Sequence, residues 1–354
     1  MTAPPSGAAR GATWIAEAAG TPTPQWRAAR AAADAALHFG DAWISYRIAQ
    51  RFRPAFVTVA PAEGSCAAIG VALLLKPRLR PWARPTALLD RLPAAAAADC
   101  ARIGIEPAAA HTAIARAVLE LAGRRGWQRA EIESFDGPSP PPDLAALGCA
   151  TRERYEFLLD LASGEEARFA ALKASHRRKI RDAEKAGVTV ADETGAPAVA
   201  LLRELQGHTQ ERRGGRGEEM RLPDEGQYRR LAETFVAGGG GRLFVGRREG
   251  RPLSVILCAA SSGEAAAGAR AGRAYYLMGG TSPEGFECNA AALVLWRASV
   301  LLAGRGVAIL NLGGVPREAE EAGHPQHGLF RFKEGFGAAR VECRSGTWMR
   351  GAGR

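Results

Sequence analysis

Residues 307–337 read VAILNLGGVPREAEEAGHPQHGLFRFKEGFG. The first part, VAILNLGGV, is a strand-like apolar run that delivers two glycines, Gly313 and Gly314. A polar turn follows, and HGLFRFKEGFG then sets Lys333 between Phe332 and Phe336. Glycines at a strand end let another backbone or a ligand approach closely. A lysine in an aromatic, glycine-rich setting is not ordinary solvated surface, and a charge held there needs a partner. An anionic or oxyanionic ligand is the natural candidate.

Outward from this stretch, helix and strand signals alternate. Residues 290–304 read as a helix with Leu293, Trp296, Val300 and Leu301 on its apolar face. Residues 274–278, 253–260, 242–247 and 188–192 read as strands, and residues 227–237 and 197–212 as helices. One long helix is expected over residues 165–186, stopped by Gly187, with Phe169, Leu172, Ile180 and Ala183 as its buried stripe. The first half carries the same theme. Helices are expected at residues 26–36, 111–125 and 144–148, and strands within 43–59 and at 69–75, 129–135 and 155–160. The basic, proline-spaced KPRLRPWARP at residues 76–85 reads as a loop, since a helix cannot persist through so many prolines. Residues 137–142, GPSPPP, read as a stiff loop. The predicted class is α/β (α+β), with a flexible segment at residues 1–30 and two α/β units at 31–163 and 164–350, the seam lying near residues 161–166.

Composition bounds the function. The 354 residues are 47% hydrophobic and 24% charged, enough for two domains with their own cores. The net charge of +10 fits a solvated basic surface or a polyanionic partner: tRNA, a nucleotide-linked substrate, a phosphate-bearing coenzyme or an anionic membrane surface. The cysteines, Cys66, Cys100, Cys149, Cys258, Cys288 and Cys343, form no CxxC pair, so reduced packing residues are expected rather than a metal site, which suits the cytoplasm. The N-terminal text has no signal-peptide core, and no apolar run reaches the ~18 residues of a transmembrane helix.

Four places carry candidate chemistry. KASHRRKIRDAEKAG presents Arg177, Arg178 and Arg181 on a basic helix face, either solvated and paired internally or set to meet phosphate. His176 lies beside the apolar stripe as a candidate ligand or base. Arg212 shares a face with His208 ahead of a glycine-rich polar loop. YYLMGGTSP, followed by Asn289, reads as strand, glycine turn and helix start, where Tyr276 and Asn289 become substrate-binding candidates and exposed amides favour an anion. Gly313, Gly314 and Arg331 join them from the opening stretch. No P-loop, GxGxxG after a strand, GxSxG, HExxH or close acidic pair occurs, so several hydrolase and nucleotide-binding classes fall away.

The ordered set ASHRRKIRDAEKAGV, YYLMGGTSPEGFECNAAALVLW, LNLGGV and GLFRFKEGFG resembles the Fem family of peptidoglycan-type aminoacyltransferases, within the GNAT-fold superfamily, across residues 165–340. The resemblance implies two tandem GNAT-like acyltransferase domains, each a mixed twisted sheet flanked by helices. It implies transfer of an aminoacyl group from aminoacyl-tRNA to the amine of an acceptor, a peptidoglycan precursor or a small metabolite. Lys333, in the Phe-Lys position, would stabilise the oxyanion formed as the amine attacks, and Phe332 would shape the acceptor end. No cofactor is implied beyond the acyl donor. Two departures stand out: the turn Gly279–Gly285 lacks the R/Q-x-x-G-x-G/A of acetyl-coenzyme A enzymes, and no heptad pattern supports a helical-hairpin arm. The alternatives are an acyl-coenzyme A or acyl-carrier-protein N-acyltransferase acting on a lipid, sugar or small-molecule amine, and a non-enzymatic basic RNA-binding module.

Overall fold

The structure, a computed structural model, describes residues 13–32, 37–62, 68–76, 82–133, 136–137, 139–215, 217–260 and 272–351. The first half of the chain runs β1 (Trp14–Ala19), α1 (Pro24–Ala32), α2 (Asp41–Ala49), β2 (Arg53–Pro61), β3 (Ala68–Leu75), β4 (Thr86–Leu89), α3 (Ala97–Arg102), α4 (Pro107–Arg124), β5 (Arg129–Ile132) and β6 (Ala150–Asp160). The second half adds α5 (Glu165–Ala171), α6 (Ala174–Lys185), β7 (Thr189–Asp192), α7 (Ala196–Gly214), α8 (Glu225–Arg230), β8 (Gly241–Arg248), β9 (Arg251–Ala260) and β10 (Gly272–Thr281). It closes with α9 (Pro283–Glu287), α10 (Ala290–Gly304), β11 (Val307–Pro316), α11 (His327–Glu334) and β12 (Ala339–Met349). This is the expected α/β class, mixed sheet flanked by helices.

Two compact units share these elements, and neither is a continuous segment: one holds residues 1–32, 53–153 and 342–354, the other 33–52 and 154–341. The sequence reading divides the chain once, near residues 161–166. In the first unit the strand order is β1-β2-β3-β4-β5-β12, antiparallel except for the parallel pair β4/β5. The apolar face of α4, with Ile114, Val118 and Leu121, shares one core with Val57, Val59 and Ala87. Trp26 is fully buried, its indole N–H donating to the carbonyl of Gly70 at 3.1 Å.

In the second unit the order is β6-β11-β10-β9-β8-β7. Here β11 lies parallel to β10 and antiparallel to β6, and β7 to β10 form an antiparallel meander. The core gathers Phe157, Ile180, Phe244, Leu293, Trp296, Leu310 and Phe336. The residues 33–52 segment contributes Trp43 and Tyr46, whose rings meet Phe235 at 5.7 and 5.8 Å.

Several local expectations are corrected. Residues 41–49 are helical, not strand-like: Ile44 and Ile48, one turn apart, fit a helix as well as an alternation. Residues 144–148 form a turn rather than a helix, closed by Gly148 at φ 77°. The segment read as frayed is β1 from Trp14 onward, paired along its length with β2. The long helix expected at 165–186 is two helices, because Leu172 and Lys173 are extended. The break is held from outside: the Lys173 amide donates to the Gly335 carbonyl at 3.0 Å, and Arg177 donates to the carbonyls of Ala170 and Leu172 that end α5. Strands β4 and β12 carry no clear alternation and were not expected. The segments 1–12 and 77–81, and Cys66, lie outside the described residues.

Gly280 shows how closely β10 packs on α7. A Cβ there would enter the backbone of Leu205 and Gln206, which cannot turn aside as a side chain can. Gly280→Ala is expected to destabilise the protein by about 1–3 kcal/mol. A wild-type denaturant midpoint for this variant would contradict the packing.

Candidate active site

The site is built on a fault in a strand pair. β11 and β6 run in antiparallel register from Ile309↔Asp160 to Asn311↔Leu158, lose it, and resume at Gly314↔Glu156. Leu312 and Gly313 of β11 face Phe157 alone, so the one extra residue forms a bulge, and Gly313 takes φ 76° there, a conformation open to glycine without steric cost. Asn311, fully buried, fastens the bulge from both sides. Its side-chain carbonyl accepts from the Gly313 amide at 2.8 Å, and its amide donates to Glu156 Oε2 at 2.9 Å. Gly314 has no side chain for a second reason, since a Cβ there would run into the guanidinium of Arg154.

Lys333 reaches this bulge from α11. Phe330, on the same helix, seats α11 in the core against Phe157, ring to ring at 5.5 Å. Lys333 is 5% exposed, and its Nζ donates to the Gly314 carbonyl at 3.1 Å. Burial brings its pKa down to about 7; the nearby Arg154 acts in the same direction and Glu156 opposes both.

Beside the bulge the sheet opens. β10 and β11 pair only from Gly272↔Val307 to Tyr275↔Asn311, although both strands continue beyond that point. β10 bulges against β9 between Tyr276 and Met278. A cavity of about 50 Å³ lies here, lined among others by Tyr276, Ile256, Leu295 and Phe332. Burial pushes the Tyr276 hydroxyl well above the usual phenol range, so it stays a neutral donor. Phe332 stands edge-on to Phe336 at 5.3 Å.

The sequence candidates therefore fall into separate places. Lys333, Gly313 and Gly314 meet at the bulge, and Phe332 and Tyr276 line the cavity formed with β9, β10 and α10. Arg212 reaches the cavity wall from α7, donating to the Thr281 carbonyl at 3.2 Å and lying over the Phe286 ring. Asn289 takes φ 60° just before α10. Arg331 is exposed and pairs with Glu334 at 2.9 Å. Arg177 and Arg181 border a different groove, floored by Phe169 and Trp296, while Arg178 is exposed on α6. His176 is buried among Phe332 and Phe336, and burial together with Lys179 holds it below the usual imidazole range. His208 lies 3.7 Å from Glu211 on α7.

Sequence reasoning missed Arg154, Glu156 and Asn311. The signal was present in two of them: Glu156 in RYEFLLD and Asn311 in AILNLGG are polar residues inside apolar strand text. Buried polar groups require partners, and these two are each other's. Among the described residues no cluster of His, Cys, Asp and Glu could hold a metal ion, and no helix is long and apolar enough to cross a membrane.

Residues 170–334 match the acetyltransferase (GNAT) domain family. No curated protein matches the chain. Among solved structures, FemX superposes with a TM-score of 0.63 at 14% identity, covering 88% of this chain and 94% of its own. A conserved protein of unknown function from Bacteroides thetaiotaomicron VPI-5482 gives 0.51 at 10% identity, over 93% of this chain and 99% of its own. A tandem GNAT protein from the clavulanic acid biosynthesis pathway gives 0.49 at 18% identity, over 96% and 98%. At such identities the likeness is one of fold. The chain thus has the fold of FemX, and its residues 170–334 resemble the acetyltransferase (GNAT) domain family.

Proposed function

We propose that this GNAT-fold acyltransferase is an N-acyltransferase of the Fem type, moving an aminoacyl group from aminoacyl-tRNA to the amine of a peptidoglycan precursor or a small metabolite. The observation that carries the reading is Lys333, a buried lysine whose Nζ docks on the Gly314 carbonyl of β11, just past the point where β10 and β11 part. In this chemistry the acceptor amine attacks the ester carbonyl and a C–N bond forms. The carbonyl oxygen takes up negative charge, the C–O bond to the ribose breaks, and the proton lost by the amine ends on the ribose hydroxyl. The bond to Gly314 uses one of the three ammonium hydrogens of Lys333. The others are available to the oxygen that gains charge, where a preorganised donor in a dry site is worth most. No dedicated nucleophile and no resident cofactor are required, since the amine is the acceptor's own.

The exposed Arg178 and Arg181 are the phosphate contacts proposed for the tRNA, or for an anionic membrane surface. Arg177 is already committed to the end of α5. A second reading, acyl transfer from coenzyme A or an acyl-carrier protein, draws on the GNAT-family match itself. Against it stands the segment before α10, where Ser282 caps the short helix α9 in place of a glycine-rich phosphate turn.

Transfer of radiolabelled amino acid from charged tRNA is expected, abolished by ribonuclease. Activity that survives ribonuclease and needs acyl-coenzyme A would select the second reading. Lys333→Ala should lower turnover at least a hundredfold with the fold intact, and near-normal turnover would remove the oxyanion role. The burial itself has a signature in stability. A lysine with a folded pKa near 7 and an unfolded one of 10.5 binds fewer protons in the folded state between these values. Stability from this group therefore rises with pH across that window and is lost as pH falls through it. Urea unfolding of wild type and Lys333→Met should diverge between pH 7 and pH 9.5, wild type gaining about 1 kcal/mol per unit relative to the variant. Parallel profiles would mean that Lys333 is solvated.

A further inference from the structure

We propose that Glu156 is the positioning residue of Lys333, holding its amine at the Gly314 carbonyl and favouring the charged form. The consequence for catalysis rests on the acyl-transfer reading, but the geometry does not.

Glu156 is opposite Gly314 in the β6–β11 ladder, and Gly314 is the residue whose carbonyl receives Lys333. Register alone thus sets the carboxylate beside the strand position where the ammonium docks. Asn311 then orients it: the Nδ2 donor grips Glu156 Oε2 at 2.9 Å while Oδ1 is tied to the Gly313 amide at 2.8 Å. Glu156 is 1% exposed, so water does not screen it.

The other charges around Lys333 make the carboxylate necessary. Arg154, two residues before Glu156 and so on the same face of β6, lays its guanidinium across Gly314. Lys333 therefore faces one cation and one anion from that strand. On its own helix, Arg331 and Glu334 pair with each other, and Lys173 also reaches Glu334 at 2.6 Å. From α6, His176 contacts the rings of Phe332 and Phe336. Glu156 is thus the facing carboxylate that favours the charged amine against burial and Arg154. Without it the balance moves toward the neutral amine, which cannot stabilise an oxyanion as an ammonium does.

The test needs no substrate. The chain has five lysines, Lys76, Lys173, Lys179, Lys185 and Lys333. Protein carrying ¹³C at the lysine ε-carbon therefore gives few resonances, and Lys333→Met identifies the one that matters. In wild type this resonance should titrate near neutrality. Glu156→Gln should move its midpoint to lower pH by about one unit or more, a tenfold change in proton affinity, and Glu156→Asp should restore part of the shift. Arg154→Met should move it the other way. A Lys333 midpoint unchanged in folded Glu156→Gln overturns the proposal. Should Glu156→Gln fail to fold, Asn311→Leu releases the carboxylate, and an unshifted midpoint there overturns it equally. Absence of transfer from either acyl donor would defeat the proposed function while leaving this titration intact.

Discussion

A buried ammonium is expensive, and the second unit is organised around bearing that cost. Removing a charge from water costs several kcal/mol unless donors and counter-charges replace the lost hydration. Lys333 receives a carbonyl from Gly314 and sits near the carboxylate of Glu156. The carbonyl is presented only because β11 bulges, and the bulge holds because Gly313 accepts a positive φ and Asn311 ties it on two sides. The lack of a side chain at Gly314 lets Arg154 lie flat against the strand. Each of these residues is held by a contact with another of them.

The same stretch of chain opens the sheet. Pairing of β10 with β11 ends at Asn311, the residue that also fixes Glu156. One asparagine therefore marks the end of the β10–β11 pairing and anchors the Glu156 carboxylate. Phe332 and Lys333 are adjacent on α11 and serve different places, Phe332 lining the cavity and Lys333 reaching the bulge.

Much of this was legible in the sequence, and the limits have physical causes. Long periodic helices such as α4, α7 and α10 announced themselves, as did the apolar strands β3, β9 and β11. The break at Leu172–Lys173 did not, because its cause is a carbonyl of Gly335 far along the chain, and local propensity cannot register a distant acceptor. α2 was misread because a short apolar segment satisfies both periods. Within the site, FRFKEGFG and LNLGG stood out by composition. Glu156 and Arg154 did not, because the meaning of a charged residue in a strand depends on what its neighbour strand carries, and that pairing spans about half the chain.

The discontinuity of the two units has a consequence for biosynthesis. β5, on the first unit, pairs with the end of β12, from Gly346 to Met349, nearly the last residues described. A nascent chain therefore exposes the edge of β5 until β12 has been made, by which time every strand of the second unit has been synthesised. The unit that starts first in sequence is completed last in time, and its open edge during that interval is a surface that a chaperone, or a neighbouring nascent chain, would meet.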